Sequence, residues 1–168
     1  YKMIKEHRDE YKDRTGAYIN VKKVLVRNLN KERPEYDKSV LTCDFDEIIN
    51  DRDIDIVVEL MGGIHPALEY VTKSLEAGKQ VVTANKDLIA ENGELIGNLA
   101  ESKGSDLLFE AAVAGAIPII RPLKQSMAGS KITEIMGIVN GTTNYILTQM
   151  SETGMGYEQA LAKATELG

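Results

Sequence analysis

Apolar positions along the chain switch between two periods. Residues 54–61 (IDIVVELM) form a near-continuous apolar run, the pattern of a strand buried on both faces of a parallel sheet. Ile64, Ala67, Leu68, Val71 and Leu75 then fall on one stripe of a helix over 65–77, and Gly78 stands where that helix should stop. Gln80–Thr83 (QVVT) predicts the next short strand. Residues 93–103 predict another helix, with Leu95, Ile96, Leu99 and Ala100 facing inward and Gly104 as its end, and 106–110 (DLLFE) predict a further strand. Upstream, Tyr1, Ile4 and Tyr11 recur at helical spacing within a charged stretch that Gly16 closes, and 19–27 (INVKKVLVR) read as a strand. NLNKERPEYDKS carries turn chemistry, and Asp44 or Asp46 can cap a short helix reaching Asn50.

Strands alternating with helices at this spacing predict βαβ units and a parallel sheet with right-handed crossovers. The expected fold class is α/β with a Rossmann-like sheet. Its strands end at Arg27, Gly62-Gly63, Thr83–Asn85 and Glu110, and ligands of open α/β sheets bind along that carboxyl edge. No G-x-G-x-x-G occurs. In dinucleotide-binding folds that loop lies between the first strand and first helix. With 1–14 read as the end of the first helix, the first strand and its loop are expected upstream of Tyr1. Both ends therefore read as cut. From Ile117 the pattern changes: Pro118 stands near a helix start, 131–139 (KITEIMGIV) read as a strand of a different sheet, Thr142 or Thr143 as the cap of a helix holding Ile146, Leu147 and Met150, and 157–167 as a last helix. The expected domains are 1–115, a partial nucleotide-binding unit, and 116–168, the start of an α+β catalytic and dimerisation unit.

The formal net charge of −6 argues against a nucleic-acid surface. No apolar run approaches the roughly 18 residues of a membrane span. The single cysteine, Cys43, excludes an internal disulfide framework and fits a reducing compartment. With His7 and His65 it makes no zinc spacing.

Four stretches carry candidate chemistry, each with a plainer alternative. Lys86, leaving a buried strand within TANK, can aim its ammonium at a ligand while Asn85 bonds substrate or nicotinamide; alternatively it is a solvated surface lysine. Glu110, followed by small residues, can join backbone carbonyls in an all-oxygen cation site, or can pair with Arg121. Asn140–Asn144 (NGTTN) place a helix N-terminus where an anion could bind, or serve only as a cap. Arg27 stands where an arginine suits the 2′-phosphate of NADP and an acid would suit NAD, or belongs to a basic turn. His65 reads as a cap or surface residue, and Cys43 as a small hydrophobe without an activating histidine.

Three motifs, VVTANKDLIAENGEL, FEAAVAGAIPIIRPL and GIVNGTTNYILTQM, closely resemble homoserine dehydrogenase, and the likeness runs from about Ile54 to Gly168. The resemblance implies NADPH- or NADH-dependent reduction of aspartate 4-semialdehyde to homoserine, on the route to threonine, methionine and isoleucine, by a cytoplasmic homodimer. It places Lys86 at nicotinamide and substrate, with Thr83 and Asn85 beside it; Gly62 and Gly63, from their place at the strand's carboxyl end, are expected on the same cofactor edge. It implies a sodium site at Glu110, Val113, Gly115 and Ile117, and puts Thr142 and Gly168 near homoserine. The family's glycine-rich loop and its proton-donating lysine fall outside 1–168, so the 168-residue chain alone is expected to be inactive. Ala116 stands where glycine is common, and Pro122 lies inside an expected helix, which it should kink or break. Aspartate-semialdehyde dehydrogenase, a rival, needs an activated cysteine that Cys43 does not supply. A non-catalytic nucleotide-binding module is the other alternative.

Overall fold

A computed structural model describes residues 1–115, 117–138 and 140–167. Two βαβ units form its centre. Strands β3 (Ile56–Glu59), β4 (Gln80–Thr83) and β5 (Leu107–Leu108) make a parallel sheet in sequential order, with Val57 opposite Val81 and Val81 opposite Leu107. Helices α4 (Ala67–Glu76) and α5 (Lys86–Lys103) cross between them and pack on each other. Ala67, Val71 and Leu75 of α4, Val81 of β4, and Leu88, Ile96 and Ala100 of α5 form one buried core. The stripe of α4 is the one its sequence spacing predicts.

Strands β1 (Val24–Leu25) and β2 (Leu41–Thr42) make a second, separate parallel pair. Helix α3 (Asp46–Ile49) follows β2, and the Asp44 carboxylate accepts from the Asp46 amide at its start. Ion pairs from Lys23 to Glu47, and from Lys22 to Asp51 and Asp53, tie β1's flank to the following loops. Between the two sheets lies a slot of about 530 Å³, walled by Val24 and Leu25 on one side and by Ile56 and Val58 on the other. The slot explains the split sheet. A doubly wound order seats a parallel strand between two such neighbours. Ile56, Val58 and Leu108 also share the sheet face that α4 and α5 leave uncovered, and are 54%, 55% and 50% exposed.

At the amino end, α1 (Lys2–Glu6) and α2 (Arg8–Thr15) divide the expected helix at His7, and Gly16 closes it with φ 78°. At the carboxyl end, α6 (Gly141–Thr153) and α7 (Tyr157–Leu167) form a hairpin around Ile146, Ala160 and Ala164.

Several expectations need correction. The strand expected over 19–27 pairs only at Val24–Leu25, and its partner β2, two residues long beside a polar turn, carries no periodic pattern that predicts it. Helix α5 starts at Lys86, seven residues before the expected Gly93. The Asn85 side chain caps the helix there by accepting from the Leu88 amide at 3.1 Å. Asn140, not Thr142 or Thr143, caps α6: its extended backbone lets Oδ1 accept from the Thr143 amide at 2.7 Å. No strand forms over 131–138 among the described residues, and Val139 lies outside them. The segment has no neighbouring edge to pair with, and Ile135, Met136 and Ile138 remain exposed. Cys43 is exposed, not a buried hydrophobe. Pro122 behaves as expected, reducing its helix to one π turn over Pro122–Ser126.

The uneven cover of the sheet gives a measurable contrast. In urea unfolding of this chain, Leu75→Ala should cost about 2–5 kcal/mol, as a fully buried leucine. Ile56→Ala, on the uncovered face, should change stability by less than about 1 kcal/mol; equal losses would contradict this division of the sheet.

Candidate functional site

Parallel pairing sends β3, β4 and β5 to one edge, and the segments leaving that edge are held together by hydrogen bonds. After β3 the chain turns through Gly62 and Gly63, with φ of 77° and 71°. Two successive residues in this left-handed region require glycine. Space around both positions is open, so backbone angle and not crowding selects them. Both are exposed, offering bare backbone to a ligand.

After β4 the chain enters α5 directly. Asn85 is 3% exposed. Its Nδ2 donates to the Gly63 carbonyl at 2.6 Å and lies 3.5 Å from Glu59 Oε1, while Oδ1 holds the Leu88 amide. Thr83 is fully buried. Its hydroxyl donates to Glu59 Oε2 at 2.5 Å and accepts from the Asn85 amide at 3.0 Å. Gly63, Thr83 and Asn85, expected at the cofactor, are thus brought into one network.

Lys86 is the first residue of α5 and is exposed. A cation there opposes the helix dipole, which favours anions at that end; Asp87 in the same turn offsets it. The arrangement presents an ammonium and a helix N-terminus beside a glycine turn, suited to an anionic or carbonyl-bearing ligand.

Glu110 opens a short turn, Glu110–Ala112, which packs beside β4. Its carboxylate accepts from three successive amides: Ile119 at 2.5 Å and Ile120 at 2.9 Å on Oε1, and Arg121 at 2.8 Å on Oε2. Desolvation pushes its pKa up, but the amides of Arg121, Ile120 and Ile119 outweigh that, and the carboxyl titrates below its ordinary 4.5. The contact with Arg121 runs through the backbone amide; no Glu110–Arg121 side-chain ion pair forms among the described residues. Ala114 and Gly115 follow with φ of 54° and 50°. No donor reaches the carbonyls of Val113, Gly115 or Ile117 among the described residues. One Glu110 oxygen keeps a free lone pair, so the oxygens of this turn are of the hard-donor type that a cation could use.

Arg27, exposed beyond β1, and Thr142, in the first turn of α6, join this network through no hydrogen bond among the described residues. Gly168 lies outside the described residues. Sequence reasoning missed Glu59. Its signal was a lone carboxylate near the end of an otherwise apolar strand, next to the glycine pair. His65 is exposed and bonds Glu69 at 2.6 Å, a surface role as expected. No helix among the described residues is long and apolar enough to cross a membrane.

Comparisons with known proteins bear on both parts of the chain. The family model of the homoserine dehydrogenase NAD-binding domain matches residues 1–110, and that of homoserine dehydrogenase matches 118–168. The homoserine dehydrogenase of Bacillus subtilis is 44% identical over 168 residues, covering 99% of this chain and 39% of the relative. The crystal structure of a homoserine dehydrogenase from Thiobacillus denitrificans superposes with a TM-score of 0.87 at 41% identity, over 99% of this chain and 38% of that one. A hyperthermophilic archaeal homoserine dehydrogenase, solved in complex with NADPH, superposes with a TM-score of 0.68 at 29% identity, over 97% of this chain and 46% of that one. This chain thus spans about two fifths of the length of the relatives it matches. With parallel βαβ units ending in a glycine turn and in a lysine that begins a capped helix, and with both of its parts matched in order, the chain belongs to the homoserine dehydrogenase family.

Proposed function

We propose that the protein carrying this chain is an NAD(P)H-dependent homoserine dehydrogenase, reducing L-aspartate 4-semialdehyde to L-homoserine in threonine, methionine and isoleucine biosynthesis. The observation that carries this reading is the match of consecutive parts of one chain to the two domains of that family. In it, residues 1–115 form part of the nucleotide-binding domain and 116–168 the start of the catalytic and dimerisation domain of a cytoplasmic homodimer. The nicotinamide supplies hydride to the aldehyde carbon. The chain's own residues hold and polarise. Gly62, Gly63, Thr83 and Asn85 shape the cofactor edge, and Arg27 favours the 2′-phosphate of NADP, NAD remaining an alternative. Lys86 sets positive charge beside the reacting carbonyl, where oxygen gathers negative charge as hydride arrives. Thr142 and Gly168 approach the substrate. Glu110, with the carbonyls of Val113, Gly115 and Ile117, holds a sodium ion where the chain crosses between domains.

The test is NADPH oxidation by the full-length protein with and without aspartate 4-semialdehyde. Aldehyde-dependent oxidation is expected; cofactor binding without it would mark a non-catalytic nucleotide module. In the same protein Lys86→Gln should lower kcat/KM by about 10²–10³ without lowering Tm, because it removes a cation from the positive end of α5. A loss of activity that merely tracks a lower Tm would argue for a structural role.

Glu110 gives a pH-dependent test. A carboxyl whose folded pKa lies below the unfolded value stabilises the fold above the unfolded pKa and loses that contribution as pH falls through the folded one. Wild type should therefore melt above Glu110→Gln at pH 7, and the gap should close as the pH drops below about 4.5. Replacing sodium by choline should lower the wild-type Tm and leave that of Glu110→Gln unmoved. A gap independent of both pH and sodium would contradict the assignment.

A further inference from the structure

Glu59 is 4% exposed at the carboxyl end of β3, and nothing in the proposed reaction uses it. Packing alone does not call for a carboxyl there. Val57, on the same sheet face, fills its place with an apolar side chain, and burying a carboxyl is unfavourable unless its oxygens find donors. The donors are present and specific. The Thr83 hydroxyl gives its proton to Oε2 at 2.5 Å, the Met61 amide donates to Oε1 at 2.6 Å, and Asn85 Nδ2 lies 3.5 Å from the same oxygen. No buried side-chain polar atom among the described residues is left without a partner.

These partners belong to the segments that define the edge. Met61 opens the Gly62–Gly63 turn, Thr83 ends β4, and Asn85 caps α5 one residue before Lys86. Thr83 donates its single hydroxyl proton to Glu59 and accepts from the Asn85 amide. Asn85 spends its amide group on Gly63 and its carbonyl oxygen on Leu88. Both side chains are buried beneath the edge, away from solvent. We infer that Glu59 is a positioning residue: its buried carboxyl, acting through Thr83 and Asn85, fixes the glycine turn relative to the first turn of α5 and so sets where Lys86 stands against the cofactor. Thr83 and Asn85 serve the site through this framework, and Lys86 with the glycine backbone is left to meet the ligand. The inference rests on the proposed reaction for its kinetic test and on geometry alone for a second one.

The kinetic test uses the full-length protein with NADPH and aspartate 4-semialdehyde. Glu59→Gln keeps size but turns an NH2 towards a donor, and Thr83→Val keeps shape but deletes the hydroxyl. Each should lower kcat by about ten- to a hundredfold, the cost of moving a reacting group by about 1 Å, with KM for the aldehyde changed less than kcat. The double variant should lose little more than either single one, since both break the same chain of bonds. Thr83→Ser should recover most of what Thr83→Val loses. Folded variants that keep kcat within about twofold of wild type while Tm falls would overturn the inference, as would fully additive losses. If Glu59→Gln does not fold, Thr83→Val carries the same test. If the wild-type protein shows no aldehyde-dependent oxidation, the reaction reading fails by itself, and amide hydrogen exchange decides. Glu59→Gln should speed exchange at Met61 and Leu88 with Val81 unchanged; uniform acceleration across all three would mean that Glu59 only stabilises the fold.

Discussion

The capping of α5 by Asn85 is the interaction on which the site depends. The first amides of a helix have no partners within the helix itself. Those amides need partners inside the protein. Asn85 supplies one through its oxygen, and its nitrogen reaches across to Gly63. One side chain thus closes the helix and ties it to the turn after β3. Thr83 and Glu59 complete the connection beneath it. The edge is held by side chains that no ligand needs to touch, which leaves an ammonium and bare glycine backbone as the exposed chemistry.

Glu110 performs a related task at the end of the sheet. Three consecutive amides converge on its carboxylate, so the chain leaving β5 is folded back before it enters the π turn at Pro122. The small residues between them, including Ala114 and Gly115 in the left-handed region, let the backbone turn tightly enough for this. They also leave carbonyls unengaged. The slot between the two sheets and the uncovered face of Ile56, Val58 and Leu108 show the same incompleteness in apolar form: surfaces with strand and core chemistry that this chain alone does not cover.

The strands and helices of the central unit were legible because burial imposes a period. The run at 54–61 holds the strand Ile56–Glu59, though buried on one face and not on both as its pattern suggests, the stripe of α4 faces the core, and Gln80–Thr83 is the strand observed. What sequence missed was decided by polar side chains acting on backbone. Asn85 started α5 at Lys86, well before the expected Gly93. Asn140 took the cap expected of its threonine neighbours. The alternation at 131–138 did read as a strand, but a strand exists only against an edge, and a single chain's pattern does not supply one. At the site, Lys86, Gly62 and Gly63 could be named from their place after the strands. Glu59 could not, since its function lies in what it accepts from Thr83 and Met61, and cross-strand register is not written in local sequence.

A crystal structure of the full-length protein with NADPH bound would test the central claim most directly. The account predicts a parallel strand seated in the slot between β1 and β3, and the nicotinamide ring at the edge formed by Gly62, Gly63 and Lys86, with the Glu59, Thr83 and Asn85 hydrogen bonds intact beneath it. A cofactor bound away from that edge, or a slot filled by something other than a strand, would contradict it.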